Sequence, residues 1–250
     1  MQIRAIIIRL VKRKVPPQID QDYHNILVAH STYYRYLEQS EKKRFRLRLF
    51  RLLNVMAFGS MKMPEVTREM RVVIGSAIIE ITFGLANYLP TRFTTVEVLP
   101  YRYMYPGYGE PFLGHIDFNQ NKIYFSWDDV RTGYLVPDDA VNVALHEMAH
   151  VLEAENGINE IFTNFFDRVE WNQWAQQAFN KMQVIRNQRN RFLKNYGGIN
   201  MTEMFAVCIE AFFEQPQEFR KSLPIIYQKM VDLLNQDTAA MWDRGQQMDS

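Results

Sequence analysis

Residues 141–157, VNVALHEMAHVLEAENG, constrain the fold more than any other stretch of the chain. They carry two of its five histidines, His146 and His150, four positions apart with Glu147 beside the first. At about 100° per residue, Val141, Ala144, Leu145, Met148, Val151 and Leu152 form one apolar stripe. His146, Glu147 and His150 fall on the opposite side, within an arc of roughly 100°. Asp138 or Asp139 can cap the start of this helix and Gly157 can end it. The spacing therefore predicts a helix with one face in a core and the imidazoles turned toward a cleft.

Residues i and i+4 of a helix lie one above the other, so both imidazoles can hold one ion. Neutral imidazoles suit zinc, and H-E-x-x-H on a helix is the zinc metallopeptidase pattern. Glu147 points to the flank of the pair, where it can reach water at the metal without ligating it. The competing reading is a solvated helix face with incidental histidines. A catalytic zinc needs a third protein ligand and one open position. No histidine follows His150 at the spacing that would supply it, so a carboxylate from elsewhere is expected, and two glutamates compete. Glu170 follows His150 by the separation used in many zincins, but DRVEWNQW lacks the aspartate that usually comes four residues later. Glu203 lies in INMTEMFAVCIEAFFEQP, an apolar-rich helix that carries Glu210 seven residues on, along the same face. Glu203 can equally be a capping-box partner for Asn200. Spacing leaves Glu170 and Glu203 both open.

The rest of the chain excludes several functions. At 250 residues it can bury a full core, and a formal net charge of +1 gives no field to attract nucleic acid. No direct nucleic-acid binding is expected. The one cysteine, Cys208, leaves no disulfide framework or multi-cysteine zinc site and fits a reducing compartment. In MQIRAIIIRLVKRKVPPQID the apolar run is interrupted by Arg9, which makes a poor signal peptide, and it is too short to span a bilayer. Ile3, Ile6, Ile7, Leu10 and Val11 recur at helical spacing among Arg4, Lys12, Arg13 and Lys14. Residues 1–14 thus suit weak contact with a membrane surface, or a first helix or strand docked on the core. VVIGSAIIEITFGLANYL, residues 72–89, has Glu80 at its middle, which favours a buried core helix over a membrane span.

Pro16-Pro17 separates an N-terminal segment, residues 1–20, from a body expected to be one domain over 21–250. Residues 22–55 read as helix, with Phe45, Leu49, Leu52 and Leu53 inward and the arginines of EKKRFRLRLFRLL on a solvated face. FTTVEVLPY reads as a strand and YRYMYPGYGEPF as a loop whose tyrosines line a cleft or cover the core. HIDFNQNKIYFSWDDV reads as a hairpin turning at Asn119-Gln120-Asn121. From Pro137 onward the chain is mostly helical. Helices, a few strands, then helices predict an α+β fold.

HEMAHVLEAENG, followed by TEMFAVCIEAFFEQPQEFRKSLPIIY, resembles the Mlc titration factor A family of bacterial zinc peptidases. IYFSWDDV resembles that family's strand before the metal helix, and EMRVVIGSAIIEITFGLANY its hydrophobic helix. The likeness runs in order over roughly residues 33–235. It implies a mostly helical, zincin-like fold, similar to the anthrax lethal factor catalytic domain, with a small β-sheet beside the H-E-x-x-H helix. It implies one Zn2+ per chain held by His146, His150 and Glu203, the last from an E-x-F-A motif, with Glu147 as general base. Tyr196, seven residues before Glu203 in KNYGG, matches a tyrosine that assists catalysis by donating to the oxyanion. Glu170 has no counterpart in the family pattern. Where the family usually has aspartate this chain has Glu153, expected with Glu210 to contact the ligands rather than the metal. In zincins an extended peptide pairs with an edge strand near the metal, and Ile123, Phe125 and Trp127 are the expected substrate-binding face; a buried hairpin strand is the alternative. The resemblance further implies a peptide or protein substrate, a transcriptional regulator as a partner, and the bacterial cytoplasm, peripheral to the inner membrane if residues 1–14 reach it.

Overall fold

The computed structural model describes residues 14–105, 107, 109–136, 138–158, 165–188 and 200–248. The segment expected to touch a membrane surface lies outside them, except for Lys14. The single helix expected over 22–55 is three: α1 (Pro17–His30), α2 (Thr32–Tyr36) and α3 (Gln39–Val55). The first break falls at Ser31, whose extended backbone frees its hydroxyl to accept from Tyr34 N at 3.0 Å. The second falls at Glu38, which forms a capping box with Glu41. Such polar caps restart a helix where periodicity alone shows no interruption. Because α1 begins at Pro17, its first turn is part of the folded body, and Asp20 pairs with Arg46 at 2.7 Å.

Phe45, Leu49 and Leu52 are buried as their spacing predicts. The arginines beside them are not all solvated. Arg46 is buried against Asp20 and Tyr34, and Arg48 donates to the carbonyls of Thr82, Phe83 and Leu85 at 2.9–3.0 Å. Those carbonyls end α4 (Arg68–Thr82), where a helix leaves acceptors without partners and favours a cation.

Every residue of α4 from Val72 to Thr82 is buried. Among the described residues no helix is long and apolar enough to cross a membrane. Glu80 sits inside this core, accepting from Ser31 Oγ at 2.8 Å and bonded also to Ser76 and Tyr134. Burial raises its carboxyl from 4.5 to about 8 against the opposing effect of these hydrogen bonds. The folded chain therefore keeps this proton while the unfolded chain releases it as pH rises through that window. Stability from this site falls between those two values and is constant above them. Glu80→Gln, neutral at every pH, should gain on the parent by up to roughly 4 kcal/mol between about pH 5 and pH 8. Denaturant unfolding at both pH values checks this, and a pH-independent difference would rule out a protonated Glu80.

Four strands, β1 (Ala57–Ser60), β2 (Thr95–Leu99), β3 (Gly114–Asp117) and β4 (Lys122–Ser126), form one sheet in the order β1-β2-β4-β3. β1, β2 and β4 run parallel, and β3 is antiparallel to β4. The hairpin turns where expected. Asp117 accepts from Asn119 N at 2.8 Å and Gln120 N at 2.9 Å, and Asn121 takes a left-handed φ of 53°. Val96, Val98, Ile123 and Phe125 face the helical core. Leu99, Tyr124 and His115 lie on the outer face under Tyr103 and Phe112, so the tyrosine-rich loop covers the sheet.

This strand order corrects the expected substrate face. β4 is an inner strand with Ile123 and Phe125 fully buried, and Trp127 opens α5 (Trp127–Leu135). The two arms of a hairpin look alike in sequence; the parallel pairing of β4 with β2 decides that β3 is the outer one. Ser126 N donates to Leu113 O at 2.8 Å, so Leu113, His115 and Asp117 present their backbone groups to β4. By the antiparallel alternation, Gly114 and Ile116 present theirs to the outer edge, which is free of any other strand among the described residues.

The remaining helices are α6 (Val143–Ile158), α7 (Arg168–Gln188), α8 (Met201–Glu214), α9 (Pro216–Ser222), α10 (Pro224–Leu234) and α11 (Thr238–Met248). The fold is α+β and mostly helical, with α6 packed on α4, α8 and β3. Toward its C-terminal end, buried Glu155 accepts from Thr91 N and Oγ1, Arg92 N and Phe93 N at 2.8–3.0 Å. That holds α6 to the segment leading into β2.

Candidate metal centre

α6 is capped by Asn142, not by Asp138 or Asp139. Asn142 Oδ1 accepts from Ala144 N at 3.1 Å and Leu145 N at 3.2 Å. Val141 therefore precedes the helix and is exposed, while Ala144, Leu145, Met148, Val151 and Leu152 are buried as the stripe predicts. Gly157 lies within the last turn, which reaches Ile158. Ala149 and Glu147 are buried too, Glu147 at 8% exposure, so α6 is enclosed almost all round. It opens at His146 and His150, whose side chains are 22% and 13% exposed.

α8 supplies the carboxylates opposite. Asn200 caps it by accepting from Glu203 N at 2.9 Å, which uses the backbone and leaves the Glu203 carboxylate free. That carboxylate reaches both histidines: Oε2 lies 3.4 Å from His146 Nε2 and Oε1 lies 3.5 Å from His150 Nε2. One ligand atom from each residue lies within 4.8 Å of the others, the one such cluster among the described residues. Two turns along, His146 Nδ1 donates to Glu210 Oε2 at 3.2 Å. Glu210 Oε1 accepts from Asn142 N at 2.8 Å, and Asn142 Nδ2 donates to Glu214 Oε1 at 3.0 Å. Glu203, Glu210 and Glu214 thus form a row facing the N-terminal half of α6.

The charges are strongly coupled. Burial opposes a proton on His146, but hydrogen bonds to Glu203 and Glu210 and the charge of Glu147 lift its pKa to about 10. Burial and the neighbouring His146 push His150 down to about 4. The hydrogen bond to His146 lowers Glu203, and burial raises Glu147 to about 7. The residues fit a divalent metal: two imidazole nitrogens and one carboxylate oxygen converge, and Glu210 engages His146 Nδ1 so that Nε2 is the donor turned inward. His150 Nδ1 is buried without a partner among the described residues, which likewise leaves Nε2 as its coordinating nitrogen. This donor set is the one a zincin-like site requires.

A model of the glucose-regulated metallo-peptidase M90 family matches residues 8–234. The chain belongs to this family. Among its relatives is the uncharacterized protein slr2042 of Synechocystis sp., 24% identical over 238 residues, covering 88% of this chain and 84% of that protein. Mlc titration factor A of Escherichia coli is 25% identical over 139 residues, 53% of this chain and 52% of the relative. The match with Mlc titration factor A thus spans about half of each chain.

In this M90-family chain the structure gathers His146, Glu147, His150, Glu203 and Glu210 at one place. Glu170 is elsewhere in role: it stands in the first turn of α7, its N–H donating to Asp167 Oδ1 at 3.2 Å, and it is not part of the ligand cluster. Tyr196 lies outside the described residues. Glu153 accepts from Thr202 Oγ1 at 3.3 Å and, among the described residues, makes no hydrogen bond to either histidine; burial raises its carboxyl to about 7. Sequence reasoning missed Asn142, which caps the metal helix and links it to Glu210 and Glu214. Its signal was present, an asparagine immediately before the helical run, but two aspartates just upstream make equally good caps. It also missed Gly114, where a Cβ would lie 2.9 Å from Glu147 Cγ.

Proposed function

We propose that the chain is a zinc-dependent peptidase in which His146, His150 and Glu203 hold the metal and Glu147 is the general base. The observation that carries this reading is the convergence of the three ligand atoms beside a buried glutamate that is not one of them. When bound there, zinc supplies a Lewis acid that acidifies water and polarises a carbonyl. Glu147 takes the proton from the attacking water on its carboxylate and passes it to the leaving amine. Glu210 fixes the orientation of His146, and Glu203 reaches over both histidines from α8. Tyr196, on the resemblance alone, donates a hydrogen bond to the developing oxyanion.

The substrate is an extended peptide that adds to the free edge of β3, bonding with the backbone groups of Gly114 and Ile116. Support for this placement is that β3 packs on α6 with Gly114 against Glu147. The reducing bacterial cytoplasm is the compartment that the lone Cys208 favours. Relatives named for the titration of Mlc support a second role, binding a transcriptional regulator, which coexists with hydrolysis. Cleavage of a mixed peptide library by zinc-loaded protein, with chelator-treated protein alongside, tests the main reading. Cleavage is expected only with metal, and equal cleavage in both samples would refute it.

A further inference from the structure

β3 and α6 approach each other at one point more closely than side chains permit. A Cβ on Gly114 would lie 2.9 Å from Glu147 Cγ, 3.3 Å from Glu147 Oε1 and 2.9 Å from Val143 Cγ2. All three atoms belong to α6, and Val143 and Glu147 are one turn apart on the face toward β3. Gly114 is not there for its backbone freedom. It pairs with Phe125 as an ordinary strand residue, and Gly107 is the glycine with a positive φ among the described residues. What glycine provides at 114 is space, and Glu147 occupies it.

We propose that Gly114 is a positioning residue for Glu147: the missing side chain sets how deep the glutamate sits between the metal helix and the free edge of β3. The inference rests on Glu147 as general base. A methyl group at 114 drives the Glu147 stem away from the strand, and buried carbon atoms at 2.9 Å cannot both stay in place. The ligands are spared. His146 and His150 leave α6 on the side facing α8, where Glu203 and Glu210 hold them. The free-edge backbone groups of Gly114 and Ile116 also survive, since a β-carbon projects perpendicular to the direction in which they point. The substitution therefore separates the base from binding and from metal.

Gly114→Ala should keep the parent's metal content and a KM within about twofold, while kcat falls about 10- to 100-fold, the scale of a sub-ångström to 1 Å displacement of a reacting group. Gly75→Ala is the control for tight packing alone. Its Cβ would meet the side chains of Leu53 at 2.9 Å and Leu49 at 3.0 Å in the helical core, so it should lower the unfolding temperature without lowering kcat. If Gly114→Ala does not fold, Val143→Ala removes one of the two obstructions, and Gly114→Ala in that background should show the same loss of kcat relative to Val143→Ala. A Gly114→Ala protein as fast as the parent, or one slowed only in proportion to lost metal, overturns the inference. Glu147→Gln is assayed alongside. If it keeps full activity the base assignment itself fails, whereas an inactive Glu147→Gln with a fast Gly114→Ala sinks the positioning role alone.

Discussion

Glu147→Gln is expected to keep its metal and to hydrolyse peptides slower than the parent by on the order of 10³-fold. Glutamine fills the same buried space, between Gly114 and the histidine pair, but has no oxygen basic enough to take a proton from water. His146, His150, Glu203 and Glu210 are untouched, so metal content should match the parent by elemental analysis. This pattern of intact site and lost turnover distinguishes a base from a ligand. A Glu147→Gln protein that turns over at the parental rate would mean that proton transfer runs through another group. The same variant holds substrate or partner without destroying it, so a captured protein that the zinc-loaded parent also leaves uncleaved is a binding partner, and one that the parent cleaves is a substrate.

The second large effect concerns the metal. Glu203→Ala removes the only carboxylate among the described residues that reaches both imidazoles, and metal affinity should fall by more than about 100-fold, because losing a partner that merely orients a ligand already costs 10–100-fold. Glu170→Ala should bind metal as the parent does. Titration of the apoproteins with zinc against a competing chelator measures both. The reverse result, tight binding without Glu203 and weak binding without Glu170, would transfer the third ligand to α7.

The histidine pair and its glutamate are legible because ligation by one helix needs a fixed interval, and Glu203 with Glu210 share a face for the same reason. The choice between Glu170 and Glu203 is not legible from spacing, since it depends on which helix packs against α6. Strand order has the same cause: Ile123 and Phe125 alternate correctly, yet only the parallel contact with β2 makes their strand an inner one. Ser31 and Glu38 interrupt a helix that periodicity carries straight through, because a cap acts on one hydrogen bond and leaves the apolar pattern intact. Arg46 and Arg48 read as a solvated face until the carbonyls and the carboxylate that they serve are in place.

The fastening of α6 has a further consequence. Asn142 secures one end to α8, and Glu155 secures the other to residues 91–93. The helix that carries both imidazoles is thus anchored at both ends by protein groups. In small zinc domains the ion is the nucleus around which an otherwise unfolded chain condenses. Here the fastening bonds involve none of the three candidate ligands, so chelator-treated protein is expected to keep the circular-dichroism spectrum and cooperative unfolding of the metal-loaded form. On the proposed reading, metal supply would then set activity without setting the fold.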